Sequence, residues 1–418
     1  MVHTVPMRLK LLLSLMLGFW LTAAPPVLLL SFDGLAARSF TPGRMPRLWR
    51  LAQSGKRGEG LPPFPSTTFN GHATLATGCW PEHHGIVSNS FADPDRGFVP
   101  YTSDAALLQR EPLWVASTRS GVKTAVYSWP CATGPWEGVT PWRLENYQPG
   151  RADTVAMAFC ETSLKAGAEL VMAYFSGMDA EGHTYGPDSL QTDQKLKQTD
   201  DEVGPWLEDM MASYPGLRVV LTADHGMATM RTRVQLPSLL KGCFTRIIAH
   251  GGSAYVYTKP GRVPAAKRRL TAAGLQVWQR AELPVDHHLA HNLRVGDLIV
   301  EAPTGTWLSD EVGPALITEK LGRKGAHAYD SSRPEMHTWL VVLGDGQGDL
   351  GEVPLWDLAP TIASWLGIKW VVPPDGKPLG DRRGGRALPG NNVGEHEGGR
   401  RGSEATARSP LVHVRPTK

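Results

Sequence analysis

Carboxylate and imidazole side chains follow three short apolar segments of this 418-residue chain. The segments and their polar neighbours are Val27–Phe32 with Asp33, Leu170–Phe175 with Asp179 and His183, and Arg218–Thr222 with Asp224 and His225. A further imidazole, His337, stands just before the apolar segment 339–343, so the loop ahead of that segment would have to deliver it. Three Asp and three His match the number and type of side chains that hold two zinc-type ions.

Each of these residues also has an ordinary structural explanation. An Asp33-Gly34 pair is typical of a turn, and a lone His337 is typical of a hydrogen-bonded polar residue. Asp179 and His183, four positions apart, are typical of a solvated pair on a helix. The joint pattern favours ligands, because the strands of an open α/β sheet bring their carboxyl ends to one edge, where ligands bind.

A hydroxyl-bearing segment supplies the nucleophile that such a site needs. Ser66, Thr67 and Thr68 stand directly before a predicted short helix. The amino end of a helix favours negative charge, which suits an alkoxide or a phosphorylated intermediate on one of these oxygens. The alternative is plain capping of the helix by Ser or Thr.

The elements that must position these residues alternate along the chain. Apolar segments predict buried strands over Val27–Phe32, 122–129, Leu170–Phe175, Arg218–Thr222 and 339–343. Helical patterns cover residues 45–54, 153–166, 193–213 and 356–366. Strands that alternate with helices predict an α/β fold with a three-layer core and a mainly parallel central sheet.

Two regions differ from this pattern. Residues 253–321 combine strand-like segments with a basic helix, which predicts a small inserted α+β subdomain in a catalytic domain of residues 25–252 and 322–372. Over residues 373–418 Gly, Arg, Pro and Asn dominate, which predicts a disordered tail. The bulk of the chain is globular in composition, with 41% hydrophobic and 20% charged residues, and its net charge of +3 gives no argument for a nucleic-acid partner.

Residues 1–24 are predicted to be a signal peptide. Arg8 and Lys10 precede an apolar run, and small residues suited to cleavage end it at Ala24. A retained membrane anchor is the alternative, but Pro25-Pro26 interrupts the run and favours cleavage. We therefore expect a periplasmic or secreted protein with no stable membrane span. Export permits disulfides in three full pairings of the four cysteines, which are Cys79, Cys131, Cys160 and Cys243.

Several motifs occur in the order that characterises one known enzyme family. They are Leu-Ser-Phe-Asp33-Gly, Pro-Ser-Thr-Thr68-Phe with Thr-Gly78, Pro-Glu-His-His-Gly-Ile-Val-Ser-Asn89-Ser, Met-Asp179-Ala-Glu-Gly-His183-Thr-Tyr-Gly-Pro-Asp, Thr-Ala-Asp224-His225-Gly-Met, and Gly-Ala-His327-Ala-Tyr-Asp followed by Glu-Met-His337. On these motifs, residues 27 to about 367 resemble the nucleotide pyrophosphatase/phosphodiesterase family, the type I phosphodiesterases, of the alkaline phosphatase superfamily. The resemblance implies an alkaline-phosphatase-like core.

The resemblance also implies a role for each matched residue. Thr68 would be the nucleophile, Asn89 would donate to a non-bridging phosphoryl oxygen, and Phe69 would line a nucleobase pocket. A second aromatic side chain of that pocket would be Trp142 or Tyr147. One Zn2+ would be held by Asp33, Thr68, Asp224 and His225, and the other by Asp179, His183 and His337.

One segment departs from the family pattern. The family has Thr-Phe-Pro-Asn-His at the nucleophile, whereas this chain has Thr68-Phe69-Asn70-Gly71-His72. Because Thr68 and the ligands remain, we expect the change to alter the loop more than the chemistry, with only a modest effect on rate.

The implied function is that of a dizinc phosphodiesterase or nucleotide pyrophosphatase. Such an enzyme hydrolyses a phosphodiester or pyrophosphate bond of a small nucleotide-like substrate through a phosphothreonine and releases a nucleoside 5′-monophosphate. The alternatives are a phosphomonoesterase or a choline-phosphodiester hydrolase of the same superfamily, and a secreted binding protein without catalysis. Thr68 and the absence of an obvious arginine nearby favour a diester. A sulfatase is excluded, because His83 stands where the sulfatase motif C/S-x-P-x-R requires Arg.

Overall fold

The computed structural model describes residues 24–318 and 321–381. The strands in these ranges are β1 Val27–Phe32, β2 Lys56–Leu61, β3 Phe91–Asp93, β4 Gly97–Val99, β5 Thr124–Tyr127, β6 Arg143–Glu145, β7 Leu170–Phe175, β8 Arg218–Thr222, β9 Ala228–Thr229, β10 Thr232–Gln235, β11 Phe244–Ala249, β12 Ser253–Thr258, β13 Gln276–Gln279, β14 Leu298–Glu301, β15 Thr306–Ser309, β16 Leu316–Ile317, β17 Gly325–Ala326, β18 Thr338–Leu343 and β19 Gly348–Pro354. The α-helices are α1 Pro46–Ala52, α2 Thr68–Thr77, α3 Pro81–His84, α4 Leu113–Arg119, α5 Asp153–Lys165, α6 Gly177–Tyr185, α7 Leu190–Ser213, α8 Leu236–Leu239, α9 Val263–Ala272 and α10 Leu358–Leu366.

Eight strands form the central sheet, in the spatial order β19-β2-β18-β8-β1-β7-β5-β6. All neighbouring pairs are parallel except those of β18, which runs antiparallel to both β8 and β2. The prediction of a mainly parallel sheet is therefore confirmed. The exception matters for the site, because an antiparallel strand begins at the edge where its parallel neighbours end.

Helices cover both faces of this sheet, as in the predicted three-layer core. Successive side chains of a strand point to opposite faces, so Leu29 of β1 joins a core with α2, α4 and α10. Leu28 and Leu30 join the other core, with α1, α5 and α7. Every residue of β1 and of β7 is buried, as expected for strands covered on both faces.

Most predicted elements agree with the structure to within a few residues. β1, β7 and β8 have the predicted bounds, and β5 is shorter than the predicted segment 122–129. Helix α7 begins at Leu190, ahead of the predicted residue 193, because the Ser189 hydroxyl accepts from Thr192 N at 3.2 Å and caps the helix. β2 and β19 were not predicted, since their sequences are rich in Gly and charged residues.

A separate antiparallel sheet, β11-β12-β14-β13, packs with α9 around its own buried side chains, among them Val256, Leu270 and Val300. The predicted strand 254–257 lies within β12, and the predicted basic helix overlaps α9. This sheet begins at Phe244, ahead of the predicted insertion boundary at residue 253.

Both predicted terminal segments lie largely outside the described residues. These are the signal peptide over 1–24 and the tail over 373–418, of which residues 24 and 373–381 are described. Asp375, at the start of the predicted tail, is part of the fold: its carboxylate accepts from Trp80 N at 2.9 Å. The four cysteines are buried free thiols. Of the helices in the described ranges, none is long and apolar enough to cross a membrane.

Candidate active site

The predicted site residues meet at one edge of the central sheet. Asp33 follows β1, while Asp224 and His225 follow β8, so both strands deliver their side chains at their carboxyl ends. Asp179 and His183 lie on α6, which follows β7. Three neighbouring parallel strands thus place acidic and imidazole groups where the sequence predicted them.

The first group consists of Asp33, Asp224 and His225, all buried. The Nε2 atom of His225 lies 3.2 Å from Asp224 Oδ2 and 3.5 Å from Asp33 Oδ1. Thr68 Oγ1 lies 3.3 Å from the same Nε2. The hydroxyl at the amino end of α2 therefore stands beside two carboxylates and an imidazole.

The second group consists of Asp179, His183 and His327. Asp179 Oδ1 lies 3.4 Å from His183 Nε2 and 3.9 Å from His327 Nε2. The ring of His327 stacks on that of His225 with 3.9 Å between centroids. The two groups therefore adjoin each other, and ligand atoms of Asp179, His225 and His327 lie within 4.8 Å of one another.

The structure does not bring His337 into this second group. Its Nδ1 lies 2.8 Å from Glu59 Oε2, and it belongs to neither group among the described residues. His327 lies in the position that was predicted for His337. The loop that carries His327 is held beside Thr68, because Ala328 N donates to Ser66 O at 2.9 Å. The signal was present in the sequence, since His327 belongs to the same quoted motif as His337.

The three imidazoles of the site are oriented alike. The Nδ1 atoms of His183, His225 and His327 lie 2.9–3.0 Å from the carbonyl oxygens of Gly325, Gly226 and Ser66, respectively. A carbonyl oxygen can only accept, so Nδ1 carries the proton and Nε2 keeps a lone pair. Metal-binding histidines in proteins are usually held in this way.

Three carboxylate oxygens of the site have no hydrogen-bond partner although they are buried. They are Asp33 Oδ1, Asp179 Oδ1 and Asp224 Oδ2. Burial and the nearby charges of Asp224 and Asp179 raise the pKa of Asp33 well above its usual value. Uncompensated buried carboxylates are costly, and bound divalent cations would remove that cost. The donor set of carboxylate oxygens and imidazole nitrogens therefore fits metal ions.

The electrostatics of His327 also suit a ligand. Burial, together with the nearby His225 and His183, lowers the pKa of His327 well below its usual value. An imidazole must be neutral to bind a metal, so this shift favours the binding form at neutral pH.

The remaining carboxylate oxygens are held by donors that the sequence did not suggest. Tyr174 OH donates to Asp33 Oδ2 at 2.5 Å, and Gly34 N donates to Asp224 Oδ1 at 3.2 Å. A Cβ on Gly34, whose φ is +70°, would lie 3.2 Å from Asp179 Cα. The other oxygens, Asp33 Oδ1 and Asp224 Oδ2, form no hydrogen bond and lie 3.5 Å and 3.2 Å from His225 Nε2.

The segment that departs from the family pattern still starts α2 at Thr68. The Asn70 side chain donates to Pro65 O at 2.8 Å, which ties the helix to the loop before it. A Cβ on Gly71 would lie 2.5 Å from Asp224 O, so this position has no room for a side chain. Where the chain differs from the family pattern, α2 therefore packs closely on the segment that carries Asp224 and His225.

Asn89 is fixed by a backbone donor. Its Oδ1 accepts from Phe69 N at 2.9 Å, so its amide nitrogen is left to donate elsewhere. Asn89 lines the same cleft as Thr68. Both residues are therefore brought together as predicted from the sequence.

The aromatic ring in contact with Phe69 is that of Tyr101. Of the two residues considered from the sequence, Tyr147 contacts Tyr174 with 6.0 Å between ring centroids. The rings of Phe69 and Tyr101 meet edge to face with 4.5 Å between centroids. Trp142 lies under Lys123 Nζ at 4.0 Å and is not part of the cleft lining.

The cleft above these groups has a volume of about 330 Å³. Its lining consists of Thr68, Asn89, Ser90, Tyr101, Asp179, His183, Ala249, His250, Trp307, Arg323 and His327. No arginine was predicted near the nucleophile, whereas the structure places Arg323 in the lining of the cleft.

Most of the chain matches a known enzyme family. Residues 27–330 match the family described as type I phosphodiesterase / nucleotide pyrophosphatase. The chain belongs to this family. Members are phosphoric diester hydrolases of the alkaline phosphatase superfamily, so the resemblance found from the motifs is confirmed, and the protein is an enzyme of this class.

Individual members of the family cover most of the chain. Ectonucleotide pyrophosphatase/phosphodiesterase family member 7 of Rattus norvegicus is 27% identical over 349 residues, which cover 76% of this chain and 77% of that protein. Bis(5′-adenosyl)-triphosphatase of Bos taurus is 26% identical over 360 residues, which cover 80% and 78%.

A solved structure of the family shares the fold. Murine ectonucleotide pyrophosphatase/phosphodiesterase 5 superposes with a TM-score of 0.75 at 23% identity and covers 84% of this chain and 97% of that one. An inactive variant of the same murine protein, in complex with AMP, gives a TM-score of 0.76 at 22% identity with the same coverage. The alkaline-phosphatase-like fold is thereby confirmed.

Proposed function

We propose that this protein is a dizinc phosphodiesterase that releases nucleoside 5′-monophosphates from small nucleotide-like substrates through a phosphothreonine. The observation that carries the proposal is the position of Thr68 Oγ1, 3.3 Å from His225 Nε2 and beside the buried Asp33 and Asp224. A threonine hydroxyl is a weak nucleophile until a metal or a base activates it.

Each zinc ion has its own ligands in this proposal. Asp33, Thr68, Asp224 and His225 would hold one ion, and Asp179, His183 and His327 would hold the other. Imidazole nitrogens and carboxylate oxygens are donors that zinc prefers. When bound, such a pair of ions would stabilise the attacking and leaving oxygens of an in-line displacement and lower the pKa of the Thr68 hydroxyl.

The chain's own residues carry out two successive displacements. The Thr68 hydroxyl releases its proton to solvent and its oxygen forms a bond to phosphorus. The bond from phosphorus to the leaving oxygen breaks, and the leaving group departs with the electron pair and takes up a proton from solvent. Water then attacks the phosphothreonine, one of its protons restores the Thr68 hydroxyl, and the nucleoside 5′-monophosphate is released. The amino end of α2 and the Asn89 amide stabilise the negative charge that develops.

The nucleoside would bind beside Phe69 and Tyr101. An aromatic surface binds a nucleobase by stacking without a strong preference for its identity. The AMP bound to the inactive variant of the murine neighbour supports a nucleotide as the substrate.

A phosphomonoesterase is the second candidate, because Arg323 lines the cleft and an arginine can hold the dianion of a monoester. The two functions predict opposite preferences. A diesterase hydrolyses p-nitrophenyl thymidine 5′-monophosphate faster than p-nitrophenyl phosphate, and a monoesterase shows the reverse order.

We propose export to the periplasm or secretion as the setting of this reaction. The basic and apolar start of the sequence supports it, as do the "ecto" names of the related proteins.

The test is a zinc-supplemented assay of p-nitrophenyl thymidine 5′-monophosphate with two isosteric variants. Thr68→Val removes the nucleophile and should abolish turnover and the phosphothreonine detectable by mass spectrometry after acid quenching. Thr67→Val is the matched control, because its hydroxyl lies 3.5 Å from Ser88 Oγ instead of in the metal-ligand groups. Equal activity of Thr68→Val and wild type would overturn the proposal.

A further inference from the structure

One segment of the chain concentrates positive charge. Residues 241–280, which we call the basic segment, contain eight Lys or Arg residues and no Asp or Glu, although the net charge of the whole chain is only +3. The rest of the chain therefore has a net negative charge. The basic segment forms β11, β12, α9 and β13, so its charge lies on the separate antiparallel sheet and the helix that packs on it.

Five of these cations are exposed and lie close together, and we call them the basic face. They are Lys241, Lys259, Arg262, Arg268 and Arg269. Arg269 Nη1 donates to Lys241 O at 2.8 Å, which joins α9 to the residues before β11. Lys259 N donates to Cys243 O at 2.9 Å, and Arg262 N donates to Lys259 O at 3.0 Å. These contacts hold the start of β11 and the end of β12 beside α9.

The basic face has no acidic partner within the protein. None of its five side chains forms an ion pair with a carboxylate in residues 24–318 and 321–381. Two other cations of the basic segment differ: Lys267 Nζ lies 2.5 Å from Glu282 Oε2, and Arg246 Cζ lies 4.8 Å from the ring centroid of Phe98. Like charges held together without counter-charges repel each other, so a negatively charged partner would relieve this repulsion.

A groove beside Arg268 adds apolar surface to the basic face. Its volume is about 880 Å³, and its lining consists of Val263, Pro264, Lys267, Arg268, Thr271, Ala272 and Gln279. Ala266 and Leu270 are buried on the inner side of α9. Pro264, Arg268 and Ala272 follow each other at intervals of four residues and are exposed, so they share the outer side of the helix. The outer side of α9 is therefore both basic and partly apolar.

This combination fits the surface of an anionic lipid bilayer. Lys and Arg side chains are attracted to the negative charge of the lipid headgroups, and apolar residues between them contact the boundary with the acyl chains. Single-stranded nucleic acid, another polyanion, is held by stacking on aromatic side chains, and no residue that lines the groove is aromatic. We propose that the basic face docks this protein on an anionic phospholipid surface. This inference does not depend on the proposed function.

Docking in this way leaves the cleft accessible. β11 begins at Phe244, next to the basic end of the sheet, and ends at Ala249, which lines the cleft. At about 3.4 Å per residue, these two residues are about 17 Å apart. A small soluble substrate can therefore reach the cleft while the basic face is in contact with a bilayer.

The test measures binding of the full chain to phosphatidylcholine vesicles with and without phosphatidylglycerol, by co-sedimentation. Wild type should bind the vesicles with phosphatidylglycerol more tightly, and added salt should weaken this preference. Because each Lys or Arg near an anionic bilayer strengthens binding about fivefold, Arg262→Gln combined with Arg268→Gln should weaken binding to these vesicles about 25-fold. Vesicles of phosphatidylcholine alone report the contribution of the apolar run before Pro25, which every variant shares.

Lys165→Gln combined with Lys369→Gln is the matched control, because it removes two exposed positive charges that lie outside the basic segment. Charges farther from the bilayer than the screening length contribute little, so its vesicle affinity should stay within about twofold of wild type. Both double variants should hydrolyse p-nitrophenyl thymidine 5′-monophosphate at the wild-type rate, since none of the four substituted residues lines the cleft. That rate also shows that the variants fold.

The outcomes separate docking from catalysis. Equal affinity for the two kinds of vesicle, or wild-type affinity in Arg262→Gln with Arg268→Gln, would overturn the proposal. Binding of double-stranded DNA that is tighter than vesicle binding, and that the same two substitutions abolish, would also overturn it, since the basic face would then bind nucleic acid. None of these results bears on the proposed function, which is tested by hydrolysis of the ester alone.

Discussion

The imidazole rings of His225 and His327 stack with 3.9 Å between their centroids and 19° between their planes. One ring follows strand β8 and the other follows β17, so residues about a hundred positions apart form one continuous surface. The contact joins the group around Asp33 and Asp224 to the group around Asp179. It explains how two cations could share a single site beside Thr68.

Replacement of His327 should remove one metal ion. His327→Ala takes an imidazole from the second group, so the bound zinc should fall from about two ions per chain to about one, and activity should fall at least about 100-fold. His337→Ala is the control, because its Nδ1 lies 2.8 Å from Glu59 Oε2. Metal content measured by plasma mass spectrometry after dialysis checks both variants. Loss of zinc in His337→Ala but not in His327→Ala would show that His337 is the ligand, as predicted from the sequence.

Removal of the Tyr174 hydroxyl should weaken the first metal site. Tyr174→Phe deletes the hydrogen bond to Asp33 Oδ2, so the carboxylate is held less firmly and zinc affinity should fall about 10- to 100-fold. Competition with a chromophoric chelator measures the affinity. Tyr255→Phe is the matched control: its hydroxyl donates to Val87 O at 2.8 Å, so it should lower stability by about 1 kcal/mol and leave zinc affinity unchanged.

A side chain at residue 71 should disturb the site. Gly71→Ala places a Cβ 2.5 Å from Asp224 O, which should lower the free energy of unfolding by about 1–3 kcal/mol and reduce activity. Gly43→Ala, where a Cβ meets nothing within 4 Å, should have little effect on either. By the same geometry, restoring the family's Pro-Asn at residues 70 and 71 should not raise activity. A large gain in that double variant would contradict this account of the loop.

Asp330 should stabilise the fold in a pH-dependent manner. Burial alone would raise its pKa, but the His287 ring, whose Nε2 lies 2.9 Å from Asp330 Oδ2, and the hydrogen bond from Ser332 N lower the pKa well below its usual value. The folded state therefore binds this proton less tightly than the unfolded state, so the stabilisation is present above the ordinary aspartate pKa of about 4 and disappears as the pH falls below it.

Chemical denaturation across the acidic range measures this effect. Asp330→Asn should cost about 1–2 kcal/mol at pH 7, and its difference from wild type should shrink as the pH falls below about 4. Asp310→Asn, at an exposed position, is the control with no expected change. A cost of Asp330→Asn that is constant with pH would show that the charge is not responsible.

The strands predicted best from the sequence are those marked by a run of buried apolar residues. β1, β7 and β8 are mostly apolar runs covered on both faces, and Asp33, Asp179 and Asp224 follow their ends as predicted. β2 and β19 carry Gly and charged residues at the edge of the sheet, so no apolar pattern marks them. β18 nevertheless lies between β2 and β8, and its antiparallel direction to both brings its first residue to the edge of the site.

Site residues that arrive from distant loops were harder to predict. His327 and His337 belong to one motif, and only the contact of the 327 loop with Ser66 decides between them. Tyr101, His250 and Arg323 reach the cleft from segments without any motif. Tyr174 is hidden within a buried strand, where a tyrosine is as ordinary as any apolar residue.

We propose that two cations bind between six side chains beside the oxygen of Thr68. Anomalous diffraction at the zinc edge, from crystals of the zinc-loaded protein, tests it most directly. We expect two peaks, one in contact with Asp33, Asp224 and His225, and the other with Asp179, His183 and His327. A single peak, or a peak at His337 with none at His327, would contradict the account.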